Sequence, residues 1–162
     1  MAADQPPPES PVPISVAAAR GAAQLGRTVG VALADAELSP AAYRMLAYLD
    51  TEESAAKVLA AKLAVSRPTV TTTLDWLEPR GYVTRTPGVL DRRSVDIAIT
   101  DKGRAALADA DRRVLTRISD LTAHLERVEV ATIVESLEVL LEALNAYRAS
   151  TAPLPAGRAP AP

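Results

Sequence analysis

The sequence predicts a mostly α-helical fold that carries one small β-hairpin. Apolar residues recur at three- and four-residue spacing over most of the chain, which is typical of helices with one buried face. Residues 82–99 instead alternate apolar and polar side chains around a central turn. The proline-rich ends, residues 1–13 and 151–162, favour extended arms and delimit a central domain of residues 14–150.

Composition restricts the class of protein. With 162 residues, 48% hydrophobic and 23% charged, the chain is long enough for one domain with its own core. It has no cysteine, which argues against disulfides, thiolate metal ligands and thiol redox sensing. No apolar run approaches the ~20 residues of a membrane-spanning helix. The N-terminus also lacks the pattern of a secretory signal, so we expect a cytoplasmic protein without membrane contact.

The net charge of −2 conceals an uneven distribution of charge. Residues 54–104 carry 9 basic and 5 acidic side chains, whereas residues 1–53 carry 3 and 7 and residues 105–150 carry 5 and 8. A basic segment between acidic flanks favours a polyanionic partner for the middle of the chain. Random scatter of surface charge is the alternative interpretation.

Two helices are predicted before the basic segment. The first is an alanine-rich stretch at residues 14–36. It contains Gly26 and Gly30, a spacing typical of close helix packing. The second starts at Ser39-Pro40, because a serine N-cap followed by proline at the first helical position is a strong start signal.

The basic segment begins with two short helices joined by a tight turn. The first is predicted from Ser54, as its N-cap, to Leu63. The second begins at Ser66, again an N-cap with an early proline at Pro68, and its apolar residues keep helical spacing as far as Glu78. Its threonines favour strand by local propensity. We let the cap and the apolar period override that preference.

A β-hairpin follows this helix pair. Pro79 and Gly81 end the second helix, and strands are predicted at residues 82–86 and 95–99. Basic residues lie at the tip between the strands. Two short helices followed by such a hairpin make a winged helix-turn-helix, with its core at residues 38–104.

Two long helices complete the predicted fold over residues 101–149, and Thr100 is the expected N-cap of the first. The second has an apolar stripe wider than a lone terminal helix of a small domain can bury. The stripe consists of Val130, Ile133, Val134, Leu137, Leu140, Leu141, Leu144 and Tyr147. An excess apolar face near a terminus predicts a partner subunit, so we expect a homodimer formed by residues 14–36 and 101–149.

The second helix of a helix-turn-helix lies in the major groove of double-stranded DNA, and its N-terminal residues reach base edges. Short hydroxyl side chains there can bond phosphates or bases, and threonine methyl groups can touch thymine. Arginines of the hairpin can enter a narrow minor groove, and Asp91 can hold Arg93 by charge-assisted hydrogen bonds. The predicted DNA contacts are Ser66, Arg67, Pro68, Thr69, Thr71, Thr72, Thr73, Arg85, Asp91, Arg92 and Arg93.

These residues resemble the MarR-type (multiple antibiotic resistance) family of regulators. The resemblance is good over residues 38–107 and looser through residue 148. It rests on V-S-R-P-T-V-T at residues 65–71, R-G-Y-V at 80–83, D-R-R-S at 91–94 and I-T-D-K-G at 99–103. It implies a transcriptional regulator that binds a near-palindromic operator as a homodimer joined through its first helix and last two helices. We expect a repressor, with an activator as the alternative. It also implies a small-molecule effector near the junction of the dimerisation and DNA-binding parts.

The sequence departs from the family's pattern in the second helix and in the hairpin. Thr72 and Trp76 stand where members often carry a basic residue, and residues 87–90 are less polar than usual. Fewer cationic contacts imply a weaker electrostatic share of DNA affinity. A winged-helix protein-interaction module with weak or lost DNA binding is therefore the second interpretation.

The effector site is predicted only in outline. Tyr43 resembles a core residue, although the family's pocket lies near its helix, and Trp76 either contacts DNA or effector or packs on the hairpin. We expect a small apolar or aromatic effector and a hinge where the helix starting at Thr100 meets the second strand. A single histidine, His124, without cysteine provides no metal site. Enzyme motifs are absent, so we expect neither a cofactor nor catalysis.

Overall fold

The structure, a computed structural model, describes residues 13–51, 54–63, 65–87 and 95–151. In chain order these form helices α1 (Val16–Asp35) and α2 (Pro40–Thr51), strand β1 (Ser54–Ala55), helices α3 (Ala56–Lys62) and α4 (Arg67–Leu77), strands β2 (Val83–Pro87) and β3 (Val95–Ile99), and helices α5 (Asp101–Thr122) and α6 (Arg127–Thr151). The predicted fold class, mostly helical with a small hairpin, is confirmed. Residues 1–12 and 152–162 of the predicted arms lie outside the described residues.

Four helices begin at a serine or threonine whose side-chain oxygen accepts a hydrogen bond from the first turn. The four donors are the backbone N–H groups of Ala18 to Ser15 at 3.0 Å, Ala42 to Ser39 at 3.1 Å, Thr69 to Ser66 at 3.2 Å and Gly103 to Thr100 at 3.0 Å. Each bond satisfies an N–H group that has no partner within its helix. The predicted caps of α2, α4 and α5 are therefore confirmed.

The threonine-rich segment is helical, as the cap and the apolar period predicted. The Thr71 hydroxyl donates to the carbonyl oxygen of Arg67 at 3.2 Å, and that of Thr73 donates to the carbonyl oxygen of Thr69 at 2.7 Å. These bonds to the preceding turn satisfy polar groups that would otherwise compete with the helix backbone.

The prediction that Ser54 caps the third helix is wrong. Ser54 pairs with Ile97 and Ala55 with Asp96 as the antiparallel strand β1, and α3 begins only at Ala56. The sheet order is β1-β3-β2, so β1 covers an edge of β3 whose backbone groups would otherwise lack strand partners. A two-residue strand is too short to show an alternating pattern in the sequence.

One core joins the inner faces of α1–α4 to the sheet and to the first half of α5. Its largest fully buried side chains are Leu33, Met45, Leu46, Leu59, Leu77, Val83 and Ile97. α5 buries Gly103, Leu107 and Ala110. None of the described side chains of α6 is fully buried. Of the predicted apolar stripe, Val130, Ile133 and Leu137 are half-buried and the other five residues are exposed.

Within the described ranges, no helix is both long enough and apolar enough to cross a bilayer. The described histidine, aspartate and glutamate side chains form no group of three that could hold a metal ion.

Candidate nucleic-acid interface

Helix α4 has one buried face and one polar face. Val70, Leu74 and Leu77 anchor it in the core. The opposite side carries most of the predicted contact residues of the helix-turn-helix. Ser66, Arg67, Pro68, Thr71 and Thr72 are exposed and Thr69 is half-buried. The structure therefore brings six of the seven residues predicted on this helix together on its accessible side, around its first two turns.

Thr73 does not belong to this accessible surface. Its side chain is only 8% exposed, and its hydroxyl is bonded to the Thr69 carbonyl. It therefore faces the core and cannot reach a DNA groove in this arrangement, which corrects its place among the predicted contacts. The burial of Thr73 could have been predicted from the sequence, because Thr73 follows Val70 by three residues and precedes Leu77 by four, which is the spacing of the buried stripe.

The hydroxyl groups at the start of α4 differ in how strongly they are engaged. The Ser66 and Thr69 oxygens share a hydrogen bond at 2.8 Å, and Thr71 is bonded to the Arg67 carbonyl. Among the residues that the structure describes, the Thr72 hydroxyl has no hydrogen-bond partner. Thr72 is thus the hydroxyl most available to an external ligand on this face.

Arg85 of β2 is held by the carboxylates of Asp75 in α4 and of Glu78, the C-cap residue of α4. Its Nη2 lies 2.6 Å from Asp75 Oδ1 and its Nε lies 3.1 Å from Glu78 Oε2. The side chain is only 26% exposed. The contact with Asp75 is a charge-assisted hydrogen bond, which orients the guanidinium. Nε has no hydrogen-bond partner among the described residues, so its contact with Glu78 is an ion pair only. Arg85 therefore links the hairpin to α4, which does not fit the prediction of a free cation for the minor groove.

The two hairpin strands flank the remaining predicted contacts in the sequence. Their register places Val83 opposite Ile99 and Pro87 opposite Val95. Residues 88–94, which connect the two strands in the sequence, lie outside the described residues. Asp91, Arg92 and Arg93 are among them. Their DNA contacts stay predictions.

Trp76 packs at the base of the hairpin. Its ring centroid lies 6.2 Å from that of Tyr82 at an interplanar angle of 54°, and the Arg80 guanidinium stacks 3.9 Å over it. Both arrangements are favourable contacts of an aromatic ring. Of the alternatives left open by the sequence, the structure supports packing on the hairpin.

A cavity of about 690 Å³ lies between α2, α3 and α6. Its lining combines two tyrosines, two basic side chains, and apolar and small polar residues. The lining residues are Tyr43, Arg44, Ala47, Tyr48, Thr51, Ala61, Lys62, Leu63, Leu141 and Asn145. Of the two residues proposed as effector contacts, Tyr43 lines this cavity, whereas Trp76 does not.

Tyr43 also connects α2 to α5. Its hydroxyl donates to Asp111 Oδ1 at 2.6 Å. Burial, and then the hydrogen bond and negative charge of Asp111, raise the pKa of Tyr43 to about 12. The phenol therefore stays protonated at neutral pH and acts there as a hydrogen-bond donor.

Sequence comparison finds relatives among transcriptional regulators. A model of the MarR family matches residues 36–94. The HTH-type transcriptional regulator SarZ of Staphylococcus saprophyticus is 37% identical over 73 residues, which are 44% of this chain and 50% of SarZ. The chain thus spans about half the length of this curated relative.

Structural comparison finds similar folds along most of the chain. The transcriptional repressor CouR, bound to a 23-mer DNA duplex, is 33% identical with a TM-score of 0.66, over 78% of this chain and 92% of CouR. Wild-type MarR from E. coli in its apo form has a TM-score of 0.71 at 24% identity, over 82% of this chain and 99% of MarR. A mutant MarR from E. coli complexed with operator DNA has a TM-score of 0.61 at 24% identity, over 78% and 94% of the two chains.

Proposed function

The chain belongs to the MarR family of transcriptional regulators, and from this membership we propose that it is a repressor that binds duplex operator DNA as a homodimer. The observation that carries the proposal is the accessible polar face of α4. This face stands at the start of a capped helix whose other side is anchored in the core.

The side chains of this face suit contacts in the major groove. Arg67 can bond a phosphate or the O6 and N7 atoms of guanine, and Thr72 offers both a hydroxyl and a methyl group to base edges. The link from Arg85 to α4 sets the direction in which the hairpin leaves the helix. We expect Arg92 and Arg93 at its tip to reach the neighbouring minor groove. CouR and the MarR mutant, both in complexes with DNA, support this mode by their likeness to the chain.

Dimerisation is supported by apolar side chains that this chain leaves exposed on its terminal helices. Leu115 and Leu121 of α5 are 64% and 51% exposed, and Val139 and Leu140 of α6 are 65% and 50% exposed. Large exposed apolar surfaces mark contact sites, and a two-fold dimer covers the same patch on both copies. It also presents two α4 helices to a near-palindromic site, roughly one turn of DNA (~34 Å) apart.

The cavity between α2, α3 and α6 supports regulation by a small molecule. Its volume lies within the range of ligand sites, and its tyrosines and apolar side chains suit an apolar or aromatic effector. An occupant would touch α3 of the helix-turn-helix and α6 of the dimer-forming part together. It would release DNA only by binding more tightly to an arrangement that does not fit the operator.

The first experiment selects bound fragments of genomic DNA and measures their affinity over a range of salt concentrations. We expect affinity to fall steeply with salt, because Arg and Lys contacts release counterions from phosphates.

Arg93→Ala should weaken binding by ~1–3 kcal/mol, and Arg92→Ala should weaken it less if it meets only phosphate. Arg112→Ala on α5 is the control and should bind like the parent.

Two outcomes would contradict the proposal. A parent chain that binds no fragment in a salt-dependent way would favour the protein-interaction module instead. Parent-like binding by both hairpin variants would remove the hairpin from the interface.

Once a ligand is found, calorimetric titration with and without operator tests its role, since DNA and effector must weaken each other by the same factor. Equal ligand affinities would make that ligand a bystander.

A further inference from the structure

The start of α5 is bonded to the turn between α4 and β2. The Thr100 hydroxyl donates to the Gly81 carbonyl at 2.7 Å, and its backbone N–H donates to the Tyr82 carbonyl at 3.0 Å. The Lys102 ammonium donates to the Arg80 carbonyl at 2.7 Å. Three consecutive carbonyl groups of this turn are therefore held by two residues of the α5 start.

Backbone contact closes the same junction. A Cβ atom at Gly103 would overlap the Tyr82 carbonyl oxygen and would come within 2.8 Å of Ile99 Cγ1. Because the first of these is a backbone atom, it cannot move aside as a flexible side chain would. Gly81 has a φ of 72°, so the turn itself uses a conformation that favours glycine. The junction leaves no room for α5 to slide over the turn.

Further contacts attach α2 to the same stretch of α5. Arg104 Nε lies 3.1 Å from Asp50 Oδ1, and the Tyr43 hydroxyl is bonded to Asp111. The buried residues of α5 also end at Ala110. The helix-turn-helix and the first half of α5 thus share both polar bonds and a core. Half-buried Val114 is the last α5 side chain that packs against this core among the described residues.

We propose that Thr100, Lys102 and Gly103 are positioning residues that make α4 and the first turns of α5 move as one rigid body. The inference rests on the proposed function, because the direction of α4 matters only to a chain that binds DNA. A fixed joint replaces the hinge that the sequence suggested at Thr100. We then expect a change in the spacing of the two α4 helices to arise in α5 beyond Val114, the last residue of α5 that packs against the core.

The test measures a distance between two spin labels within one chain. The protein has no natural cysteine, so Thr72→Cys on α4 and Ala108→Cys on α5 place labels only at two exposed positions. Labelled chains are diluted into an excess of unlabelled full-length chain, which suppresses distances between subunits. We expect one narrow distance distribution for the otherwise unchanged chain.

Three further substitutions are made in this labelled chain. Thr100→Val keeps the shape of the side chain but removes its hydroxyl, and we expect the distribution to become at least twice as wide. Thr100→Ser restores the hydroxyl and should restore the narrow distribution. Thr116→Val removes an α5 hydroxyl that is bonded to the Arg112 carbonyl of the same helix at 2.9 Å, so it should leave the distribution unchanged.

A folded Thr100→Val variant with the narrow distribution would overturn the inference. If thermal unfolding shows that this variant does not fold, the distance distribution is measured in Lys102→Met instead. This variant should fold, because the Lys102 side chain is exposed. A broadened distribution in Lys102→Met supports the joint and an unchanged one overturns it. The measurement needs no DNA. A parent chain that fails to bind any operator would therefore contradict the proposed function without altering the result for the joint.

Discussion

The helix-turn-helix core and the terminal helices differ in where their leucines lie. Leu46, Leu59 and Leu77 of the core are 0% exposed, whereas Leu115 of α5 and Leu140 of α6 are 64% and 50% exposed. Both regions carry apolar residues at helical spacing. The same pattern therefore fills the interior of this chain in the first region and leaves apolar side chains exposed in the second.

Polar contacts follow the same division. In the core, Arg85 is 26% exposed and joins two elements through Asp75 and Glu78. On α5, Asp109 pairs with Arg112 and Arg113 of its own helix at 2.7 Å each, and the hydrogen bond from Arg113 is the main cause of the lowered pKa of Asp109. Solvent-exposed pairs within one helix add little to stability. Of these pairs, that of Arg85 with Asp75 joins two elements, whereas those of Asp109 stay within α5.

A large-to-small substitution in the core tests its packing, and of the predictions here it should lower stability most. Leu46→Ala should lower the free energy of unfolding by about 2–5 kcal/mol, because it leaves a cavity in a filled interior. Leu140→Ala is the matched change on α6. At concentrations where the chain is monomeric, it should shift stability by no more than about 0.5 kcal/mol. Urea unfolding of both variants measures the difference, and equal losses would remove the distinction between the two regions.

The second prediction tests what covers α6. Leu140→Asp places a charge on each copy of a two-fold interface and removes two leucines from it. Since burying one leucine contributes about 1.5–3 kcal/mol, dimer dissociation should become roughly a hundredfold or more easier. Sedimentation at several concentrations measures the change, with Glu142→Ala as an exposed control on the same helix. A parent chain that sediments only as monomer at micromolar concentration would contradict the dimer.

The smallest expected effect concerns the bond between α2 and α5. Tyr43→Phe should lower the free energy of unfolding by about 1 kcal/mol at neutral pH, because a hydrogen bond to a carboxylate is lost at a partly exposed site. Tyr82→Phe is the control, since its hydroxyl has no hydrogen-bond partner among the described residues. Denaturant unfolding measures both variants. Equal losses in the two would mean that the contact with Asp111 contributes nothing specific.

Burial of Tyr43, followed by its hydrogen bond to Asp111, predicts that stability depends on alkaline pH. The pKa of Tyr43 rises from its ordinary value of 10.0 to about 12 on folding, so the folded state holds this proton more tightly. The stability that the protonated Tyr43 contributes should be complete below pH 10 and should be lost as the pH rises through about 12. The parent should therefore lose more stability than Tyr43→Phe over this interval, and parallel pH profiles would contradict the assignment.

Much of the fold followed from the sequence because the signals are local. Ser39, Ser66 and Thr100 cap helices through N–H groups three residues ahead, and the apolar period marks the face of each helix that the core can bury. The alternating strands β2 and β3 were predicted in the same way. Five of the residues predicted on the α4 surface are exposed and Thr69 is half-buried, because a helix that keeps its period also determines its outer side.

Other features were decided by tertiary structure, because they join residues that are distant in the sequence. Ser54 became a strand only because β3 offered it an unpaired edge, and Arg85 met α4 across 10 positions of the chain. Tyr43 and Asp111 are 68 residues apart, and Thr100 and Gly81 are 19 apart. Helical or strand periodicity describes single elements and carries no information on which elements meet. Local signals in the sequence therefore predict most helices and strands and their buried faces, whereas β1 and the contacts between elements depend on how distant segments pack.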